Sequence, residues 1–321
     1  MGLPVTVYRW DDAGAPQFSA SRTPSDFIDI LKKCLVTGYG SKSGLGWTVA
    51  FENTDQNKIA FRNSTIDGSG GYVQFWCPEG TNISTSRFSY KVAQGMSALD
   101  TFSKSSPIVN IKRLLDATYT HWLLIGTSVG FYFTVMANND STYNKGKYSC
   151  FIGDMQSNVP NDAARFIANS STGDAVTGSN PTWLLSQDDT PSYATVVLYP
   201  TDGGGVSLVG QRRSLVEAGP TNTLNNSSDT SLGISPAYTM VAIRPSSVTY
   251  TDVNGTFVNS SLLQPYNRGF FPGLLISSFL GFKTVEFNTN VSRIINGKNH
   301  ILVPGNSLGG AVAWINIEEW Y

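Results

Sequence analysis

The chain has 321 residues and a formal net charge of −1, and only 14% of its residues are charged. Globular proteins carry about 25% charged residues, so this composition excludes a coiled coil, a charged disordered tail and a long solvated helix, which are all rich in Glu, Lys and Arg. A nearly neutral chain also has no general electrostatic attraction to nucleic acid or to an anionic membrane, and we predict neither as a partner.

The first clear element is a predicted amphipathic helix over residues 24–37. Its apolar side chains recur with a period of about 3.6 residues, at Phe27, Ile30, Leu31, Cys34 and Leu35. Thr23 is the expected N-cap, Pro24 stands at the first helical position and Asp26 is the capping-box acid. Gly38 follows, where a glycine in a left-handed conformation commonly ends a helix. The apolar face must be buried, most simply against a sheet.

Most of the remaining chain is predicted to form short β-strands separated by turns. The runs rich in β-branched and aromatic residues are KIAFRNS, YVQFW, RFSYKVA, HWLLIG, GFYFTVMAN, KYSCFIGD, YATVVLYP, VSLVGQ, YTMVAIR, TVEFNT and HILVP. HWLLIG, GFYFTVMAN and KYSCFIGD are expected to form a meander with a long polar tip in its second hairpin. A second short helix is predicted at IKRLLDA, and INIEEWY is predicted to be a closing strand.

The spacing of these runs predicts a mainly β fold with antiparallel, sandwich-like or barrel-like sheets, because strands and helices do not alternate regularly along the sequence. Polar segments at 170–180 and 222–233 are candidate boundaries or long exposed loops. We place a division between residues 1–220 and 221–321. The alternative is one elaborated β domain.

Residue types that carry chemistry are sparse. Cys34, Cys77 and Cys150 share no CxxC spacing and are expected to be buried free thiols, which suits a reducing compartment. His121 and His300 each begin an apolar run and have no metal-binding spacing. Acids that are adjacent in sequence point apart and are usually solvated. We therefore predict no catalytic residue, no cofactor and no metal site.

Seven tryptophans are spread along the chain, and most of them are expected to fill a β core. Aromatic faces also stack on sugar rings and anchor protein interfaces, so exposed tryptophans would indicate binding. The surface is expected to be poor in charge and rich in Ser, Thr, Asn and Gly. Because the cores of protein interfaces are depleted in charge, this composition favours contact with other subunits.

The N-terminal region resembles a family of tailed-bacteriophage virion proteins. The resemblance lies in LPVTVYRWDDAGAP, in the helix ending LKKCLVTGYGSK and in GWTVAF; the matching positions are Val5–Tyr8, Asp12–Pro16, Gly38–Gly40, Lys42, Gly46 and Trp47. Weaker similarities follow in FYFTV, CFIGD, FFPGLL and the C-terminal strand. The segment SKSGLGW departs from the family pattern, where we expect an Ala-rich spacer, and the similarity is strongest over about the first 60 residues.

The physical role of this motif is predicted to be structural. Gly38 ends the helix, Gly40 and the glycines at 44–46 permit a tight reversal, and Trp47 covers the open end of the helix. This arrangement would lock a strand–helix–turn unit onto a sheet. The structural motif residues are Thr23, Pro24, Gly38, Gly40, Gly46 and Trp47.

The resemblance implies a non-enzymatic structural component of a tailed-bacteriophage virion, synthesised in the host cytoplasm and assembled in multiple copies. The neck, collar, tail and baseplate are the favoured positions, with other virion structural proteins and further copies of the chain as partners. The alternative is a carbohydrate- or receptor-binding β module, at the tail tip or as a capsid decoration, that binds a host-surface glycan. A polysaccharide-degrading enzyme is the third hypothesis, disfavoured because no acid pair stands out.

Overall fold

A computed structural model describes residues 2–83, 88–106, 108–111, 120–136, 146–170, 195–198, 208–214, 237–243, 250–251, 257–258, 267–277, 292–304 and 312–321. Over these residues the protein is mainly β, with antiparallel sheets and one short α-helix, which confirms the predicted fold class. None of the helical segments in these ranges has both the length and the apolar character needed to span a membrane.

The helical segments are α1 (Pro24–Lys32), a π-helical turn (Lys33–Thr37) and a 3-10 turn (Thr54–Gln56). The strands are β1 (Leu3–Pro4), β2 (Thr6–Arg9), β3 (Thr48–Asn53), β4 (Lys58–Arg62), β5 (Tyr72–Trp76), β6 (Phe88–Ala98), β7 (Thr101–Ser105), β8 (Val109–Ile111), β9 (His121–Gly126), β10 (Gly130–Met136), β11 (Gly146–Asp154), β12 (Gln156–Ser157), β13 (Phe166–Ser170), β14 (Thr195–Leu198), β15 (Leu208–Ser214), β16 (Ala237–Ile243), β17 (Tyr250–Thr251), β18 (Phe257–Val258), β19 (Asn267–Ser277), β20 (Ser292–Ile295), β21 (Lys298–Pro304), β22 (Val312–Asn316) and β23 (Glu319–Trp320).

Several predicted segments lie outside the described residues. They are the strand TVEFNT, residues 112–117 of the predicted second helix, residues 137–145 of the hairpin tip, and the polar segments 171–180 and 222–233. Ile111, the first residue of that predicted helix, is the last residue of β8.

The N-terminal helix occupies the predicted residues, but its last turn is wound differently. The α-helical part covers Pro24–Lys32, and the following five residues form a π-helical turn in which the Gly38 N–H donates to the Lys33 carbonyl at 2.7 Å. The wider turn keeps Cys34 and Leu35 on the buried side. The apolar stripe that predicted the helix is therefore the face that enters the core.

The larger sheet is built around the predicted meander. In the described residues its strand order is β2-β9-β10-β11-β13-β14-β15-β16-β19-β22-β21-β20, and all of its pairings are antiparallel. Met155 separates β11 from β12, and β12 pairs with β19 while β11 pairs with β13. One continuous chain segment thus joins two distant parts of the strand order, so the sheet curls back on itself.

The two ends of the chain meet. Leu3 pairs with Trp320 in the small β1–β23 sheet, and the Val5 N–H donates to the Glu318 carbonyl at 3.0 Å. The predicted closing strand INIEEWY is divided, because β22 ends at Asn316 and a bend separates it from β23. That bend lets the last strand leave the larger sheet and pair with the first strand.

A smaller antiparallel sheet has the order β3-β4-β5-β6-β7, with β8 also paired to β6. Its apolar side chains join the helix and one face of the meander in a first core cluster. This cluster includes Phe27, Ile30, Leu35, Ile59, Phe61, Phe75, Phe88, Trp122, Leu124, Phe131, Phe133 and Ile152. The smaller sheet and the helix therefore cover one side of the larger sheet.

The other face of the meander forms a second core cluster with β19, β21 and β22. Its members include Leu123, Ile125, Tyr132, Phe151, Phe271, Leu274, Ile301, Val303 and Ile315. Neighbouring residues of β9 and β10 enter opposite clusters, as the alternation of a strand requires. Strands β9 and β10 are thus buried on both faces, which explains their almost continuous apolar sequences, in which Thr134 is a buried polar residue.

The proposed division near residue 220 stays a prediction. Strands from both sides of that position are paired within the larger sheet: β15 (Leu208–Ser214) pairs with β16 (Ala237–Ile243), and β12 (Gln156–Ser157) pairs with β19 (Asn267–Ser277).

Candidate functional site

The N-terminal motif folds around the carboxylate of Asp12. One of its oxygens accepts hydrogen bonds from the Arg9 N–H at 2.8 Å, the Tyr39 hydroxyl at 2.8 Å and the Lys42 Nζ at 2.6 Å. Lys42 also donates to the Val7 carbonyl at 2.7 Å, and the Tyr8 hydroxyl donates to the Ser43 carbonyl. These bonds tie β2 to the turn after the helix.

The turn after the helix has no room for a side chain at Gly38, Gly40 or Gly44, and the first two also have a positive φ. Gly38 has φ 76° and ψ 176°, and a Cβ there would overlap the carbonyl oxygen of Lys42. Gly40 has φ 55°, and a Cβ there would overlap the carbonyl oxygen of Ala13. The chain can therefore reverse between Tyr39 and Lys42 only because these positions lack side chains.

The returning chain satisfies the end of the helix. The Leu45 N–H donates to the Cys34 carbonyl at 3.0 Å, and the Trp47 N–H donates to the Leu35 carbonyl at 3.1 Å. These carbonyls are among the groups that a helix C-terminus leaves without an internal partner. The buried Trp47 indole also donates to the Thr127 carbonyl at 3.1 Å, which anchors the turn to the loop between β9 and β10.

The start of the helix is held by Asp26. Its carboxylate accepts hydrogen bonds from the Thr23 N–H at 2.8 Å and from the Ser19 hydroxyl at 2.7 Å. Thr23 has an extended backbone and Pro24 is buried at the first helical position. Gly46 has φ 85° and an open environment, so only its backbone conformation favours glycine. All six predicted motif residues thus lie in one strand–helix–turn unit.

The thiol and phenol groups inside this unit are kept in their neutral forms. Burial raises the pKa of the Cys34 thiol, and burial also raises the pKa of the Tyr8 and Tyr39 phenols. A thiol must lose its proton to act as a nucleophile, so Cys34 is a packed side chain at neutral pH. Cys77 and Cys150 are also buried free thiols, as predicted.

The two histidines lie in strands of the larger sheet and are far from the motif network in sequence. His121 stacks on Trp10 with ring centroids 3.6 Å apart and an interplanar angle of 2°. The Nδ1 atom of His300 is 2.9 Å from the Lys298 carbonyl oxygen. Burial lowers the pKa of both imidazoles.

Most of the described tryptophans fill the core. Trp47, Trp122, Trp314 and Trp320 are almost completely buried, whereas Trp10 and Trp76 are partly exposed. Trp183 lies outside the described residues. The buried members stabilise the sheets and are not available to stack on a ligand.

A second polar cluster surrounds Asp154, at the end of β11. Its buried carboxylate accepts hydrogen bonds from the Ser69 N–H at 2.8 Å, the Arg165 Nε at 2.8 Å and the Asn63 Nδ2 at 3.2 Å. Burial raises the pKa of Asp154, although its bonds with Ser69 and Arg165 act in the opposite direction. The Tyr321 hydroxyl donates to the Asp154 backbone carbonyl.

Two clefts lie beside this cluster and share Gln156 and Tyr321 in their walls. The first has a volume of about 410 Å³ and a lining of mixed polarity, whose polar members include Asp67, Asn161 and Arg165. The second has a volume of about 360 Å³; its lining includes Phe270, Phe271, Leu274, Leu275, Lys298 and Glu319. Both volumes lie within the range of about 300–1,000 Å³ that is usual for small-molecule sites.

Sequence reasoning did not single out the Asp154 cluster or the two clefts. The sequence held one signal of this cluster: Asp154 directly follows the apolar residues CFIG in the predicted strand KYSCFIGD, and an acid buried there needs partners. The partners come from residues 63–69 and from Arg165 and could not be assigned from sequence spacing.

Comparison with known proteins gives no independent assignment. Neither the models of known protein families nor the curated protein sequences contain a match to this chain.

Proposed function

We propose that this protein is a non-enzymatic structural component of a tailed-bacteriophage virion, assembled in several copies. The proposal rests on the resemblance of the N-terminal region and on the use that the fold makes of the resembling residues. Asp12, Gly38, Gly40, Lys42 and Trp47 meet in one unit, where each of them fixes the path of the backbone.

The geometry of that unit is the observation that carries the proposal. Its charged pair, Lys42 and Asp12, bonds with the backbone of β2 and with Tyr39, so both side chains are already engaged within the fold. The motif therefore serves shape and attachment. A virion subunit needs such a fixed shape because every copy must present the same contact surfaces to its neighbours.

The favoured positions are the neck or collar and the tail or baseplate, and the expected partners are other virion structural proteins and further copies of this chain. The low proportion of charged residues supports this assignment, since the cores of subunit interfaces are depleted in charge.

The proposal is tested by quantitative mass spectrometry of purified particles of the phage that encodes the chain. We expect the protein in particles after density-gradient purification, at several copies relative to a portal protein counted in the same sample. A lysate fraction without particles is the control. Absence of the chain from purified particles, with the portal protein present, would contradict the proposal.

A further inference from the structure

We infer that the two clefts beside Tyr321 form one binding site for a neutral oligosaccharide. The juxtaposition that carries this inference is a tyrosine side chain that lines both a cleft of mixed polarity and a largely apolar one. Neither cleft is lined by Asp12, Tyr39 or Lys42 of the motif network, and the inference does not depend on where the protein is assembled.

The first cleft presents planar hydrogen-bonding groups. Gln156, Asn161 and Asp67 are exposed, and the Arg165 side chain is 32% exposed. Amide, carboxylate and guanidinium groups offer donors and acceptors in fixed planes, which suits the paired hydroxyl groups of a sugar ring.

These groups are held in place before any ligand arrives. Asp154 fixes the Arg165 Nε at 2.8 Å, and the Ser128 hydroxyl donates to the Asp67 carboxylate at 2.9 Å. The loop that carries Asn161 is fixed by Asp162, whose carboxylate accepts from the Ser157 hydroxyl at 2.7 Å and from the Ala164 N–H at 3.0 Å. A preorganised site loses little conformational freedom on binding.

Tyr321 supplies the aromatic surface. Its hydroxyl is buried and donates to the Asp154 carbonyl, and 37% of the residue as a whole, main chain included, is exposed. Because the ring is anchored at its hydroxyl end, it is oriented as a wall between the two clefts. Aromatic rings with one fixed end and an accessible apolar body are well suited to contact the C–H face of a sugar.

The second cleft defines the kind of sugar. Its apolar lining includes Phe270, Phe271 and Leu275, and its polar rim includes Lys298 and Glu319. A methyl-bearing substituent, such as an N-acetyl group or a 6-deoxy carbon, would bury apolar surface there while the ring hydroxyls stay at the rim. The site is therefore expected to prefer such sugars.

The charge of the site separates neutral from acidic glycans. Four carboxylates line the clefts, those of Asp67, Asp154, Asp162 and Glu319, whereas Arg165 and Lys298 are the only Lys or Arg side chains in the two linings. The excess of two negative charges repels sialic acids and uronates. A neutral glycan carries no such penalty.

The experiment uses the purified full chain on an array of neutral, sialylated and uronate-containing glycans. It continues with solution titrations of N,N′-diacetylchitobiose and its acetyl-free counterpart cellobiose. We expect binding to neutral N-acetyl or deoxy glycans, at least fivefold tighter binding of diacetylchitobiose than of cellobiose, and no binding of the acidic glycans. No binding to any neutral glycan, or a preference for acidic ones, would overturn the inference.

Three variants locate the site. Tyr321→Ala is expected to weaken diacetylchitobiose binding at least tenfold. Gln156→Ala and Asn161→Gly are expected to weaken it at least threefold, and the glycine is compatible with the φ of 55° at position 161. Gln56→Ala, at an exposed position in the turn before β4, is the matched control and should bind as the parent does. If Tyr321→Ala does not fold, the other two variants decide the question. Unchanged glycan binding in both variants would overturn the inference. The inference would also be overturned if a pool of extended peptides displaced the bound glycan and none of these variants changed glycan binding.

Discussion

At the scale of single residues, Gly38 is required by its backbone conformation and by its surroundings together. Its φ of 76° with ψ of 176° lies in a region that only glycine occupies readily, and a Cβ would overlap the Lys42 carbonyl oxygen. The sequence predicted glycine here as a helix end. It also predicted a tight reversal after the helix, but not that the reversed chain crowds Gly38 itself.

Replacing Gly38 with alanine should lower the free energy of unfolding by about 3 kcal/mol, since backbone strain and a steric clash act together. Gly80→Ala is the matched control, because Gly80 has φ 65° with no heavy atom near its Cβ position, and it should cost about 1 kcal/mol. Urea denaturation of both variants measures the difference. If both variants lost the same free energy of unfolding, the crowding at Gly38 would have no energetic cost and the prediction would be wrong.

A second residue-scale prediction concerns His121, which stacks on Trp10 near the Asp11 carboxylate. Burial lowers the pKa of His121 below its ordinary value of 6.5, while Asp11 partly opposes this. The folded state then binds fewer protons than the unfolded state below about pH 6.5, so stability should fall as the pH falls through that region.

The variant His121→Phe keeps an aromatic ring on Trp10 and removes the titrating group. We expect its stability to depend less on pH between 7.5 and 5 than that of the parent, by chemical denaturation at each pH. His300, whose pKa burial also lowers, should leave part of the dependence in place. An identical pH dependence in parent and variant would contradict the assigned role of His121.

At the scale of elements, the strand–helix–turn unit is attached to the larger sheet through Trp47. The indole is buried, donates to the Thr127 carbonyl at 3.1 Å and packs edge-on against Phe131 with ring centroids 5.3 Å apart. The sequence predicted that Trp47 would cover the helix end, and the structure places its backbone N–H there. The attachment to the β9–β10 loop was not predicted, because it joins residues 80 positions apart.

Substituting Trp47 with phenylalanine should lower the free energy of unfolding by about 1–3 kcal/mol, because it leaves a carbonyl without its donor and a small cavity. The partly exposed Trp76 provides the control, and Trp76→Phe should change stability by about 0.5 kcal/mol or less. Thermal and urea denaturation measure both variants. Similar small effects at the two positions would show that Trp47 does not anchor the unit.

The strands show where sequence reasoning succeeds and where it ends. The apolar runs HWLLIG and GFYFTVMAN predicted the meander. A strand that is buried on both faces forms a nearly continuous apolar run, which is easy to recognise in a sequence. The pairing of β12 with β19 could not be predicted, because the two strands are distant in sequence and β12 consists of Gln156 and Ser157 only. The divided closing strand was missed for the same reason: its partner is Leu3–Pro4, at the other end of the chain.

At the scale of the whole molecule, the meander, which contributes to both core clusters, should be the most stable region. Strands β9 and β10 contribute to both core clusters, whereas β7 is an edge strand of the smaller sheet with exposed residues such as Thr101 and Lys104. Local opening is easiest where few apolar contacts hold a strand.

Native-state hydrogen exchange should therefore find the slowest amides in β9 and β10 and faster exchange in β7. Peptide-resolved mass spectrometry at neutral pH makes the comparison within one sample. Faster exchange in the meander than in β7 would contradict the two-sided burial of the central strands.

Features of the whole molecule also support the proposed function. Its N- and C-terminal strands are paired, its motif residues fix one shape, and few of its residues are charged. These features together suit a subunit that is repeated and covered by neighbours. The glycan site proposed beside Tyr321 has none of the side chains of the Asp12 network in its lining, and the two proposals are tested separately.

Electron cryo-microscopy of intact particles of the phage that, on our proposal, encodes this chain tests the central claim most directly. We predict density for this fold at several symmetry-related positions in the neck, collar, tail or baseplate, with its weakly charged surfaces in contact with other subunits. The account would be contradicted by particle maps in which every protein density is assigned but no density fits this fold. The features to look for are the β1–β23 pairing and the adjoining strand–helix–turn unit.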